Sequence, residues 1–189
     1  MKIWNKISSW FKTENKKYVD KFISAAYEGE FMVVKGALSE GYVKSINAKG
    51  ENGWTALIAA ATEGHLIVVN FLIVEGAEVN IADDNGDTAL MCAAMKGHVD
   101  VIKLLLEKGA AINIKDNQGW TALIAAASQG HAYIVKELLA KGASINEKDN
   151  DGATALIAAA LVKVTLMLSK NYYPMKLTII FNSIMVGLL

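Results

Sequence analysis

Arginine is absent from the 189 residues, so all 19 basic side chains are lysine. The guanidinium fork reads guanine edges and grips phosphate in two places at once, and its absence counts against sequence-specific nucleic-acid recognition. Net charge is lacking too. The lysines face 19 acidic residues, and a chain of zero formal charge exerts no long-range pull on a polyanion or an anionic membrane surface. One cysteine, Cys92, excludes an internal disulfide and a thiolate metal cage. It fits a reducing compartment, and a cytoplasmic location is expected. Proline occurs once, at Pro174, and histidine three times.

What is present is repetition. Gly53, Gly86, Gly119 and Gly152 are each separated from the next by 33 residues, and the same interval links Thr55, Thr88, Thr121 and Thr154. It also links the pairs Gly64-His65, Gly97-His98 and Gly130-His131, and then Asn80, Asn113 and Asn146. Several residue types sharing one period mark a repeat architecture. Within a unit, Asn52-Gly53 is a turn signal, and Thr55 stands where its hydroxyl caps a helix starting at Ala56. Leu57-Ile58-Ala59-Ala60-Ala61 is small and apolar, which lets a neighbouring helix approach closely. Gly64 is suited to ending that helix in a left-handed conformation. A second helix is predicted from Leu66 to Ile73, apolar on more than one face and stopped at Gly76. One such pair cannot bury its apolar surface alone, whereas stacked pairs can.

The strings NGWTALIAAATEGHLIVVNFLIVEGAEVN (52–80), NGDTALMCAAMKGHVDVIKLLLEKGAAIN (85–113) and QGWTALIAAASQGHAYIVKELLAKGASIN (118–146) resemble ankyrin repeats. The likeness lies in unit length, glycine placement and the closing Gly-Ala-x-x-Asn. One departure is consistent: where that family has Thr-Pro-Leu-His, this chain has Thr-Ala-Leu-Ile or Thr-Ala-Leu-Met. Losing the proline removes pre-organisation of the first helical turn. The resemblance implies an all-α solenoid of stacked helix-turn-helix units with short β-turn tips. It also implies a non-enzymatic scaffold or adaptor for a protein partner, monomeric and without cofactor or metal.

The expected organisation is a basic amphipathic segment at 1–20, a degenerate capping repeat at 21–52, full repeats at 53–85, 86–118 and 119–151, and the start of another at 152–160. An apolar tail outside the repeat pattern fills 161–189. The degenerate unit has Glu30 where the others have histidine, and two extra residues before Asn47. Residues 1–20 carry five lysines and two acidic residues, with Trp4, Ile7 and Phe11 on one helical face, and no continuous apolar core of a signal peptide. A helix covering the solenoid end is expected there. The alternative is a membrane-associated interaction protein, tethered by this segment or by the tail.

The genetic code bears on the tail. When its DNA is read from the third base of each codon, some residues are fixed whatever the synonymous choice. Asn171-Tyr172-Tyr173 forces leucine at 171 and 172, which lie 33 residues after Leu138 and Leu139. Met185-Val186 forces glycine at 185, 33 after Gly152. That reading also permits Gly-His at 163–164 and Lys-Glu before the leucine pair. Met175-Lys176 forces glutamate where Gly142 predicts glycine. Three matches in register among four arise by chance on the order of once in a thousand at average residue usage. A frameshifted repeat from about residue 161 is therefore expected.

No catalytic constellation is legible: there is no phosphate loop, paired-carboxylate signature or serine nucleophile elbow. His65, His98 and His131 are spaced for a stacked row roughly 10 Å apart rather than for convergence on one metal ion. Cys92 stands where other repeats have alanine and reads as a buried small residue. Asp83-Asp84-Asn85-Gly86-Asp87 lacks the closing glutamate of a calcium loop. The ankyrin resemblance implies partner contact at the turn tips and the exposed first-helix face, which here are Trp54, Thr62, Glu63, Asp87, Met95, Lys96, Trp120, Ser128 and Gln129. Trp54 and Trp120 stand out because the same position holds Asp87 and Ala153 in other units, and tryptophan is enriched at binding hot spots.

Overall fold

The computed structural model describes residues 16–161. Helix α1 covers 16–27 and α9 covers 155–161. Between them lie α2 (Phe31–Ser39), α3 (Ala56–Thr62), α4 (Leu66–Val74), α5 (Ala89–Lys96), α6 (Val99–Glu107), α7 (Ala122–Ser128) and α8 (Ala132–Ala140). Among the described residues there is no strand, only an isolated antiparallel bridge between Ala82 and Thr88. The fold is a helical solenoid.

Each first helix starts where the sequence places it. The hydroxyls of Thr55, Thr88 and Thr121 accept hydrogen bonds from the backbone N–H of Ile58, Met91 and Ile124, satisfying donors that the first helical turn leaves free. Because these helices are built largely of alanine, they pack closely, with α5 between α3 and α7. Ala60, Ala93 and Ala126 are fully buried. The second helices form the other layer, α4 against α6 and α6 against α8. Leu72, Leu105 and Leu138 drive into the space between layers at 33-residue intervals and have no exposed surface. Burying a leucine this way contributes about 2 kcal/mol.

At the amino end, Val19, Phe22, Ile23 and Ala26 form one buried stripe at helical spacing along α1. That stripe crosses residues 20 and 21, so the expected boundary between segment and first repeat falls inside a continuous helix. Phe31 of α2 meets Phe71 of α4 edge-on, with ring centroids 5.2 Å apart. The expected end-covering helix with Trp4, Ile7 and Phe11, and the tail beyond 161, lie outside the described residues.

Candidate partner-binding surface

The turn tips form a ladder. In three of them an aspartate binds its own backbone: Asp83 Oδ1 accepts from the N–H of Asn85 and Asp87 at 2.8 and 2.9 Å. Asp116 does the same for Gln118 and Trp120, and Asp149 for Asp151 and Ala153. Asp83 is thereby occupied within its own turn. Successive tips are then joined, the N–H of Asp84, Asn117 and Asn150 donating to the carbonyls of Asn52, Asn85 and Gln118 at 2.9–3.0 Å. Asn117 and Asn150 add side-chain bonds to the carbonyls of Asp84 and Asn117.

A second tie lies at the far end of the first helices. His65, His98 and His131 donate through Nε2 to the carbonyls of Tyr27, Thr62 and Met95 at 2.8, 2.9 and 3.1 Å. A carbonyl only accepts, so the ring proton sits on Nε2 in each case. With both ends of α3 and of α5 bound to the next unit, the face between them is braced before any partner arrives.

On that face Trp54 and Trp120 are half-buried and packed against the hydrophobic core. Trp54 lies 6.2 Å from Tyr27 with the rings tilted by 44°. Asp20, Ser24, Tyr27, Glu51 and Trp54 line a groove of about 480 Å³. Asp87, on the tip between the two tryptophans, is half-buried, and its carboxyl is raised from 3.8 to about 6, first by burial and then by the like charges of Asp83 and Asp116. Burial pushes the Cys92 thiol up to about 12, with a hydrogen bond to Thr62 opposing the shift. A thiol protonated at neutral pH is a poor nucleophile.

The family model described as Ankyrin repeats (3 copies) matches residues 22–116 and 110–175. The chain belongs to the ankyrin-repeat family. Its array resembles part of the NAD-capped RNA hydrolase NUDT12 of Pongo abelii, 36% identical over 77 residues, and that of Homo sapiens, 35% identical over 77 residues. Each match covers 41% of this chain and only 16% of the hydrolase.

Within the ankyrin frame the expected contact residues divide. Lys96 and Gln129 are exposed, and Glu63, Met95 and Ser128 are partly so. Thr62 is not on the surface: it is 7% exposed, and its hydroxyl returns to the Ile58 carbonyl at 2.8 Å. The neighbouring unit encloses it, since its own carbonyl receives His98. Tyr27 was missed by sequence reasoning. It lies two residues before Gly29 as Thr62 does before Gly64, so aligning the degenerate unit on its glycine points to it. Its hydroxyl hydrogen-bonds Glu63, which raises its pKa.

Proposed function

We propose that this ankyrin array is a non-enzymatic scaffold or adaptor that holds a protein partner on its turn tips and first-helix face. Trp54 and Trp120 are the anchors, and Glu63, Asp87, Met95, Lys96, Ser128 and Gln129 surround them. The observation that carries this reading is the double tie of α3 to α5 and of α5 to α7, through the turn ladder and the histidine row. A surface fixed in advance loses little conformational entropy on binding. The two rings interrupt a position that holds Asp87 and Ala153 elsewhere, so the repeat itself does not require them.

The test is affinity capture with the full chain as bait, followed by Kd measurement on the captured protein. Trp54→Ala and Trp120→Ala are each expected to weaken binding by about 2 kcal/mol, roughly 30-fold. Because half of each ring rests on the core, each variant should also lose about 1–2 kcal/mol of stability, so binding is compared where both variants remain folded. Unchanged Kd in both would place the contact surface elsewhere. No described helix is long and apolar enough to cross a membrane. Liposome flotation of the full chain tests tethering through 1–15 or 162–189.

A further inference from the structure

At the carboxyl end, Leu123, Ala127, Val135, Leu139, Leu156 and Ala159 border a groove of about 350 Å³ whose lining is apolar throughout, glycine apart. Moved back by one 33-residue period, four of these positions become Leu90, Ala94, Ile102 and Leu123, all buried. There α8 lies over them, packed on α6 and α7. Leu57, Leu90 and Leu123 are 3%, 2% and 1% exposed, whereas Leu156, the next in the series, is 75% exposed. In the other units the corresponding cover is the second helix of the repeat, which the period assigns here to positions 165–173.

Residues 165–173 as translated do not suit that seat. The period sets Asn171 in the register of Leu72, Leu105 and Leu138, the fully buried anchors. An amide enclosed there without a partner costs about 1–3 kcal/mol and forfeits the leucine's contribution as well. Lys163 falls in the register of Gly64, Gly97 and Gly130, all at positive φ. The family match through residue 175 does not lift this conflict, since the register still sets Asn171 on the anchor.

The offset frame suits it at three of the four positions that it fixes. Its forced leucine at 171 falls on the buried anchor, and that at 172 on the register of Ile73, Leu106 and Leu139 beside it. Its forced glycine at 185 falls on the register of Gly119, where a Cβ would stand 2.9 Å from the Asn150 backbone nitrogen. The single disagreement, glutamate at 175, falls on the register of Gly76, Gly109 and Gly142, where it meets the strain of a positive φ but no clash, since a Cβ there has nothing within 4 Å.

We infer that this groove is the seat of a helix encoded in the offset frame of the same DNA, the second helix of a fourth ankyrin repeat, and that residues 162–189 as translated are not its occupant. The test compares the full chain with one carrying a two-base deletion at codon 161, both with Cys92→Ala and Leu156→Cys. In the full chain the introduced thiol is expected to alkylate at close to the rate of free cysteine. In the frame-restored chain it is expected to react at least roughly tenfold more slowly, with a higher melting temperature, because burial on the new helix shields it. Equal alkylation in the two chains, fast or slow, overturns the inference, and so does a restored chain that melts no higher. The nucleotide sequence tests it independently of folding: an offset frame open through position 185 and continuing the repeat supports it, and a stop codon before that point overturns it.

Discussion

Asp87 is the residue at which the turn ladder meets its electrostatic cost. Asp83 is fixed by two backbone N–H groups, Asp116 is fixed likewise in the next tip, and Asp87 stands half-buried near both. Its carboxyl holds a proton up to about pH 6 in the fold, whereas in the unfolded chain it releases it near 3.8. Between these values the folded state binds more protons, so this group's contribution to stability falls as pH rises from about 4 to about 6 and is flat above. Asp87→Asn should therefore match the wild type near pH 4 and exceed it at pH 7, by about 1 kcal/mol after allowance for solvent screening. Urea unfolding at the two pH values checks this, and a variant less stable at pH 7 would mean that the ionised carboxylate has a stabilising partner.

Among the elements, the helix ends show two kinds of glycine that share a backbone conformation and differ in surroundings. Gly97 ends α5 at φ +90, and a Cβ there would lie 2.8 Å from Cε1 of His131, the ring that ties the next repeat to Met95. Gly109 follows α6 at φ +87 and faces open space. Gly109→Ala should cost only the left-handed backbone, about 1–2 kcal/mol. Gly97→Ala adds displacement of the histidine, a further 1–3 kcal/mol or so. Chemical denaturation of both variants measures the difference. Equal losses would show that His131 moves aside freely and that its bond to Met95 contributes little.

As a whole molecule the described array is nearly one-dimensional, its main helix contacts running within a repeat and from each repeat to the next. Protection should therefore grade along the array rather than switch at one boundary. In hydrogen–deuterium exchange the slowest amides are expected in α5 and α7, whose helices are covered on both sides, and the fastest described ones in α9, whose Leu156 and Leu161 are exposed. Uniform protection from 16 to 161 would instead mean that the array opens as a single block.

The repeat and its threonine caps were legible in the sequence because each rests on spacing or on interactions within a few residues, as Thr55 to Ile58 does. The turn aspartates are equally local, Asp116 to Trp120 for one, but their role was seen only in the structure. The small apolar run at 57–61 likewise pointed to stacked helix pairs, since small side chains let a neighbouring helix approach closely. What lay beyond the sequence was decided between repeats. Thr62 is polar and near a helix end, which reads as exposed, and only the arrival of His98 from the next unit encloses it. Tyr27 became part of the surface because Trp54 and Glu63 of the following repeat come up beside it. The half-burial of Trp54 and Trp120, and the depth of the groove beside Leu156, depend on how far one unit overhangs another, a distance set by the packing of whole helices rather than by any local signal.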